Sequence, residues 1–405
     1  MQIRHISIQQ SPVVKDRVRI SAEVSYDDRK FPPEVCWYDF PEQFIVGHTV
    51  SGNPWLAAYL PLAMTLGEPL RISAPVDRTL FESMQQALEI WHSWYPDLPI
   101  VPIEAEVADA PSLEEVRRTA AFFSGGVDSF FTLLRNTDPA NAAQSVPIDD
   151  LLLVWGFDVS LENEGAFRRM RIALQKATAE FRKELTDVTT NLRQTRFNEA
   201  NWGRLAHGAA LASVGLHLEN RYYRLLIPSS GGYKELLPWG SHVLTDPLFS
   251  TRRMRVMQDG AAFSRGQKLE RIAGSPVVQR YLRVCWRSGT DQNCGKCGKC
   301  LRAMVALEVL GFRERCTTFP AGGLNLTSIA KIYYEDQHMI DRGWDLHNLV
   351  MRKGRRDIAK AIEHSLKRSL RLQRWSGIAH SFHKKPFVWR WAGWLERKVL
   401  ARSIL

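Results

Sequence analysis

Apolar and polar residues alternate over the first 118 positions in patterns that predict both strands and helices. The segments "RVRISAEV", "EVCWYDF" and "PLRISAPV" place apolar residues at every second position, which is typical of half-buried strands. In contrast, "PWLAAYLPLAMTLG" is apolar over the length of a helix, and "RTLFESMQQALEIWHSWY" carries apolar residues at helical spacing. These patterns predict a separate small N-terminal α/β domain, ending near "VADAPSLEE".

The pattern changes from residue 119 onward. Four segments are apolar without interruption or nearly so, and helical patterns separate them: "TAAFF", "DLLLVWGFDV", "DVTTNLR" and "YRLLIPSS". Buried strands that alternate with helices predict a parallel sheet covered on both faces. We therefore predict an α/β domain over 119–310 and a helical, basic region over 311–405.

Length and composition set limits on these elements. A chain of 405 residues with 45% hydrophobic residues predicts two or three globular domains. No stretch approaches the 18 or so apolar residues of a membrane span, and the first residues lack the apolar centre of a signal peptide. We expect a cytoplasmic protein.

The net charge of +11 is concentrated at one end of the chain. Residues 352–405 contain 15 Lys and Arg against three Asp and Glu, whereas the first 351 residues contain 39 against 40. An electrostatic partner is therefore expected to engage the C-terminal segment. Its last part, "KKPFVWRWAGWLERKVLARSIL", places Trp391 on an apolar helical face, so packing is favoured there over a membrane surface or nucleic acid.

The segment "SGGVDS" directly follows the first apolar run of the second domain. Two adjacent glycines between a strand and a helix let the backbone approach a ligand, and the first amides of the helix point outward. A phosphate suits this site, with the serines as donors and Asp128 holding a bridging Mg²⁺. A plain glycine turn that caps a helix is the alternative. The Walker pattern G-x-x-x-x-G-K-[ST] does not occur.

Four of the six cysteines have the spacing C-x8-C-x2-C-x2-C and predict a metal site. Four thiolates without histidine indicate a closed, tetrahedral structural zinc site, with an iron–sulfur cluster as the alternative. The remaining two, Cys36 and Cys316, are interpreted as buried packing residues. The predicted metal ligands are Cys285, Cys294, Cys297 and Cys300.

The SGGxDS motif resembles that of the PP-loop, or N-type ATP pyrophosphatase, superfamily. Together with the later cysteines it is similar to the 7-cyano-7-deazaguanine synthase family over about 119–310. The resemblance implies an adenine nucleotide alpha hydrolase-like fold with a zinc-binding C-terminal part, and ATP, Mg²⁺ and Zn²⁺ as cofactors. It further implies an AMP- and pyrophosphate-forming carbon–nitrogen ligase that adenylates a carboxylate, borne on a small molecule or a macromolecule, for amide or nitrile formation.

The resemblance also implies roles for single residues. Catalytic roles fall on Ser124, Asp128 and Arg265, with Lys268 as the alternative basic residue. The nucleotide would be bound by Ser124, Gly125, Gly126, Val127, Asp128, Ser129 and Asp158. Outside the resemblance, Ser229 and Ser230 end a strand at the ligand edge and are predicted to contact phosphate or ribose, and His207, His242 and Asp246 are weaker candidates.

Two other functions stay open at this point. The first is an ATP-dependent sulfur transferase acting on RNA, which would need a reactive low-pKa cysteine or an iron–sulfur cluster. The second is a non-catalytic nucleotide-binding subunit of an assembly. The expected partners of the ligase are a carboxylate substrate and ammonia or an amine donor, with a protein partner possible through the N-terminal domain or the basic tail.

Overall fold

A computed structural model describes residues 1–45, 50–109, 118–138, 145–285 and 291–382, with side chains of the last helix described to residue 374. The predicted tryptophan-containing segment after residue 383 lies outside this part of the chain, as does most of the predicted linker at 110–117.

Ten strands occur in the described residues and join in one mixed, mostly parallel sheet. They are β1 (Gln2–Gln10), β2 (Arg17–Ser25), β3 (Glu34–Pro41), β4 (Leu70–Asp77), β5 (Ile103–Ala108), β6 (Thr119–Phe122), β7 (Asp150–Trp155), β8 (Glu184–Thr190), β9 (Arg224–Pro228) and β10 (Arg255–Asp259). Their order across the sheet is β10-β9-β6-β7-β8-β3-β2-β1-β4-β5. The predicted α/β class with a mainly parallel core is confirmed.

The described helices of eight or more residues are amphipathic or wholly buried, as their sequences predict. They are α1 (Asn53–Leu66), α2 (Arg78–Trp94), α3 (Val127–Thr137), α4 (Glu164–Ala179), α5 (His207–Leu216), α6 (Arg265–Ile272), α8 (Gly298–Val309), α10 (Gln337–Arg352) and α11 (Arg356–Phe382), and the shorter ones are α7 (Pro276–Tyr281) and α9 (Leu326–Ala330).

The parallel half of the sheet, β6 to β10, has a reversal in its strand order. Chain order runs from β6 through β7 to β8 on one side, and then returns to β9 and β10 on the other side. All four neighbouring pairs are parallel, so the carboxyl ends of the five strands lie at one edge. The order 3-2-1-4-5 is that of doubly wound folds, in which ligands bind where the order reverses. Here that point lies between β6 and β9.

The two halves of the sheet meet at β3 and β8. These strands pair antiparallel over only Tyr38–Thr190 and Asp39–Thr189. Beyond that short ladder, Arg17 donates to the carbonyl oxygens of Asp39 (2.7 Å) and Asp187 (2.9 Å). One guanidinium therefore satisfies backbone acceptors of both strands where their direct pairing stops.

Contacts divide the chain into two compact units, Met1–Phe263 with Gly289–Asp291, and Ser264–Ser288 with Gln292–Leu405. The predicted boundaries near residues 118 and 310 do not coincide with this division. In the first unit, one hydrophobic core includes Tyr38 and Trp55 from before residue 118 and Ala209 and Leu225 from after it. This division of contacts does not test whether residues 1–118 form a separate domain.

The second unit consists of helices α6 to α11 and the cysteine-containing segment between α7 and α8. Its helices pack closely. A Cβ added to Gly343 of α10 would lie 2.5 Å from Leu366 of α11. In the part of the chain that the structure describes, no helix combines the length and the apolar character needed to cross a bilayer.

Candidate functional site

The SGGVDS segment forms a tight turn between β6 and α3. Ser124 is exposed, and α3 begins at Val127. Phe130 donates its backbone amide to the Gly126 carbonyl (3.0 Å), and Ser129 donates its hydroxyl to the same oxygen (3.2 Å). The first three amides of α3 have no acceptor within the helix. The predicted strand, loop and helix are therefore present, with donors at the carboxyl edge of the sheet.

Packing leaves room only for glycine at position 125. Its φ of +73° is in the left-handed region, and an added Cβ would lie 2.6 Å from Leu174 Cδ2 of α4. Behind the turn, the rings of Phe123 and Phe130 meet edge to face with centroids 5.0 Å apart. The turn is thus fixed on its inner side by apolar contacts, while Ser124 faces solvent.

Two other predicted residues lie at the same edge, beyond the strands that flank β6. Ser229 follows β9; its side chain is buried, its amide donates to the Asp259 carbonyl (2.8 Å) and its hydroxyl to the Gly231 carbonyl (2.7 Å). Asp158 follows β7 and is exposed. The structure brings the loop, Ser229, Ser230 and Asp158 to one edge, but it uses the Ser229 hydroxyl to hold a turn.

Asp158 lies next to a cation that the sequence did not single out. Burial lowers the pKa of Arg193, and the charge of Asp158 offsets part of that effect. The Arg193 guanidinium donates to the Phe157 carbonyl (2.8 Å) and lies 4.5 Å from the centroid of the Trp202 ring. Because Phe157 follows β7 and Arg193 follows β8, the two loops close over one another at the carboxyl edge.

The backbone between these loops is unusually close at Gly156. Its φ is +105°, and an added Cβ would lie 1.9 Å from the Thr190 carbonyl oxygen. Only glycine therefore allows the ends of β7 and β8 to come together.

His207 lies at the start of α5, directly after a π-helical turn at Trp202–Ala206. Its Nδ1 is 3.0 Å from the Trp202 carbonyl, and its ring centroid is 6.2 Å from that of Trp239. π-Helical turns are rare and occur often at functional sites. His207, Trp202 and Trp239 form a half-buried aromatic cluster built from loops that follow β8 and β9.

His242 and Asp246 lie in the loop after β9 and are both buried. Asp246 accepts hydrogen bonds from the Ser241 hydroxyl (2.6 Å), the Gln258 amide (2.8 Å) and the His242 backbone N–H (3.1 Å). Burial raises the pKa of Asp246 to about 6 and lowers the pKa of His242. These hydrogen bonds give Asp246 a part in holding the loop, and a further role of either residue at a ligand stays a prediction.

Arg265 and Lys268 belong to the second compact unit, so their predicted position at the phosphates stays a prediction. Arg265 opens α6, and the N-terminus of that helix already holds an anion. Asp345 of α10 accepts the Gly266 amide (2.9 Å) and the Ser264 hydroxyl (2.9 Å). Lys268 is fully buried within its unit.

The four predicted metal ligands converge within the second unit. Their sulfur atoms all lie within 4.8 Å of one another, with 3.9 Å between Cys285 and Cys297 and 3.8 Å between Cys294 and Cys300. Zinc–sulfur bonds of about 2.3 Å in a tetrahedron require sulfurs about 3.8 Å apart. The spacing is far too long for disulfides, and all six cysteines are free. The cluster therefore fits a single tetrahedral ion such as zinc.

Backbone amides support the cluster. The amides of Lys296 and Cys297 donate to the Cys294 sulfur at 3.4 and 3.3 Å, made possible by Gly295 at φ +69°. Thiolates are the form in which cysteines bind a metal, so all four sulfurs would be deprotonated around a bound ion. The half-buried guanidinium of Arg302 adds positive charge near Cys297.

Asn293 holds the cluster together and was missed by the sequence analysis. Its side-chain oxygen accepts the amides of Val284 (2.8 Å) and Cys285 (3.1 Å), and its amide group donates to Leu282 (2.8 Å) and Thr318 (3.2 Å). It is 3% exposed, so a buried side chain with all of its hydrogen-bonding groups used fixes Cys285 beside Cys294. Only its position next to Cys294 could have drawn attention to it.

Compared with known proteins, this chain matches no protein-family model, no curated protein and no solved structure. The structure itself shows a mixed α/β sheet with a mainly parallel core and a four-cysteine cluster that could hold a metal.

Proposed function

We propose that this chain is an ATP-dependent ligase that forms AMP and pyrophosphate and activates a carboxylate for attack by a nitrogen nucleophile. One observation carries the proposal: the complete SGGVDS turn lies at the carboxyl end of the first strand of a 3-2-1-4-5 sheet, where the strand order reverses. The amides of the first turn of α3, which have no acceptor within the helix, would hold the pyrophosphate part of ATP.

The proposed reaction has two steps, transfer of the adenylyl group to the carboxylate and displacement of AMP by the nitrogen nucleophile. A carboxylate oxygen attacks the α-phosphorus, the bond from that phosphorus to the bridging oxygen breaks, and pyrophosphate leaves. The nitrogen of ammonia or an amine then attacks the acyl carbon, AMP leaves with the bonding electron pair, and the nitrogen loses a proton. Oxide is a poor leaving group and AMP a good one, so the first step makes the second possible. Mg²⁺ would neutralise phosphate charge, with Asp128 as its protein ligand.

The acceptor is assigned to the loops after β7 and β8. Arg193 there is a cation whose Nε makes no hydrogen bond within the described residues, and it lies against the ring of Trp202. A carboxylate beside an aromatic surface suits this arrangement. Loops that follow neighbouring parallel strands would then bring acceptor and nucleotide together.

The sulfur-transferase alternative lacks a suitable thiol. Burial raises the pKa of Cys36 to about 12 and that of Cys316 to about 11, and both side chains are buried. Reactive cysteines are exposed and have lowered pKa values. The other four cysteines form a cluster that could hold a metal, and an iron–sulfur cluster there, recognised by brown absorbance, would favour this alternative.

The test measures AMP and pyrophosphate from ATP across a panel of carboxylic acids with ammonia. Asp128→Ala should lower ATP–pyrophosphate exchange on the order of 100-fold, because a metal ligand at the phosphates is lost, while zinc content stays equal to that of the wild type. The matched control is Asp138→Ala, at the other end of the same helix, which should keep exchange.

Three outcomes would contradict the ligase. Formation of ADP and phosphate would indicate a different bond cleavage. Equal exchange in Asp128→Ala would remove the loop from the chemistry. ATP binding without any product across the panel would favour the non-catalytic subunit.

A further inference from the structure

The two compact units carry opposite net charges. The first unit has 26 Lys and Arg against 33 Asp and Glu, and the second has 28 against 10. The charge asymmetry seen along the chain therefore belongs to a structural unit, the one that contains the cysteine cluster. A strongly basic unit is expected to attract a polyanion.

Within this unit, α11 buries one face completely. Ile358, Ile362 and Leu366 are inaccessible to solvent, and so are Ser365 and Ser369. The Ser369 hydroxyl accepts the Tyr334 amide (3.1 Å), and Arg368 donates to the Lys331 carbonyl (2.6 Å). The apolar face of α11 is thus already used for packing, so it is not available for insertion into lipid.

The opposite face of α11 is a row of exposed cations, which we call the basic face. Its members are Arg356, Lys360, Lys367, Arg371 and Arg374. They extend over about 27 Å along the helix. Lys367 pairs with Glu363 (2.6 Å), but within the described residues the other four side chains make no ion pair.

We propose that the basic face of α11 binds the phosphate backbone of a nucleic acid without reading its sequence. A rigid helix holds the four unpaired cations in fixed positions, and three of them are arginines, whose planar groups suit phosphate oxygens. His364 is also exposed between these cations, but within the described residues it is the one exposed aromatic side chain there, so contacts with the phosphate backbone are expected to dominate over base recognition. This proposal is independent of the ligase activity.

The test uses the full chain and two labelled probes, a 20-base-pair DNA duplex and an RNA stem-loop of similar length. Binding is measured by fluorescence anisotropy from about 50 to 300 mM NaCl. The variant Arg356→Gln/Lys360→Gln/Arg371→Gln/Arg374→Gln should bind about 100-fold more weakly or worse, and its slope of log K against log salt should be shallower by about 3 to 4, because four phosphate contacts are lost.

A matched variant removes four exposed cations from the first unit: Lys15→Gln/Arg29→Gln/Lys30→Gln/Lys176→Gln. It has the same net charge as the first variant and should keep the wild-type slope. Equal loss in both variants would overturn the proposal, since it would show a plain dependence on net charge. Binding to phosphatidylserine vesicles but to neither nucleic acid would also overturn it.

All four substituted residues are exposed, and glutamine forms helices well, so thermal melts should match those of the wild type. If the fourfold variant does not fold, Arg371→Gln/Arg374→Gln gives the same test with a slope change of about 2. An unchanged slope in that double variant would contradict the basic face.

Discussion

Gly125 shows at the residue scale how the backbone of the candidate loop is fixed. Position 125 combines a left-handed φ of +73° with a neighbour, Leu174, that fills the space where a side chain would begin. Both conditions favour glycine, the first through conformation and the second through packing. The turn is therefore held by α4 as well as by its own sequence.

We expect Gly125→Ala to lower the free energy of unfolding by about 2 to 4 kcal/mol, from about 1 kcal/mol of backbone strain together with the overlap at Leu174. ATP–pyrophosphate exchange should fall as well, because the amides of α3 would be displaced. Chemical denaturation and the exchange assay measure the two effects.

Gly311→Ala is the matched control. Gly311 has a similar φ of +77°, but nothing lies within 4 Å of an added Cβ. Gly311→Ala should lower the free energy of unfolding by only about 1 kcal/mol, which is the backbone strain alone. If both substitutions lowered the free energy of unfolding by the same amount, Leu174 would have to move aside and would not hold the turn.

The sequence predicted the loop and the four cysteines because each motif is short and its spacing has a physical meaning. It did not indicate Arg193 or Asn293. The importance of Arg193 depends on Phe157 and Trp202, which are distant in sequence, and that of Asn293 on backbone groups of two other segments. Partners of this kind become visible only once the chain is folded.

At the scale of the element, the segment between α7 and α8 combines a four-cysteine cluster that could hold a metal with a buried asparagine. The sulfur atoms have the spacing of a tetrahedral site, and Asn293 connects the backbone around Cys285 to Thr318. A bound zinc ion contributes on the order of 10 kcal/mol to the folding of such a site. Asn293 orients the first ligand relative to the other three.

We expect Asn293→Ala to lower the free energy of unfolding by about 2 to 4 kcal/mol, because the buried amides of Val284 and Cys285 lose their acceptor. The variant should also release zinc to a chromogenic chelator at a 10- to 100-fold lower chelator concentration. Metal analysis of the wild type should give one colourless zinc ion per chain.

Asn325→Ala is the control for this change. Asn325 is an exposed cap of α9, and within the described residues its side chain accepts one hydrogen bond, from the Ser328 amide (3.1 Å). Asn325→Ala should lower the free energy of unfolding by about 1 kcal/mol and leave zinc release unchanged. A brown protein with iron in place of zinc would contradict the zinc assignment, though not the cluster itself.

At the scale of the whole molecule, the two halves of the sheet in the first unit are joined by a short ladder between β3 and β8 and by one hydrophobic core that both halves share. The ladder between β3 and β8 has two residue pairs, yet the Tyr38 hydroxyl is 3.0 Å from the Ser213 hydroxyl of α5, and the Tyr38 ring is 4.6 Å from that of His217. Side-chain packing between the two halves of the sheet therefore contributes more to holding them together than the strand pairing does.

We expect residues 1–118 expressed alone to give no cooperative thermal transition, because Tyr38, Phe40 and Trp55 would lose apolar contacts with α5 and its surroundings. Circular dichroism melts of this fragment and of the full chain test the expectation. A sharp transition for the fragment would establish the N-terminal segment as a domain of its own.

Most of the predicted strands and helices are confirmed, because their hydrophobic periodicity reflects burial within single elements. The strands β1, β5 and β10 were not predicted, because they are short or largely polar at the ends. They are strands because they pair with neighbouring strands of the sheet. The single sheet was also not predicted, since the pairing of β3 with β8 joins segments about 150 residues apart.

Gly156 sets a condition for any redesign of this edge. Since the Thr190 carbonyl takes the place of a Cβ there, libraries that aim at a different acceptor must leave codon 156 unchanged and vary exposed positions of the same loop such as Asp158. New specificity would then have to be found in side chains alone, on a scaffold whose adjoining loops keep their course.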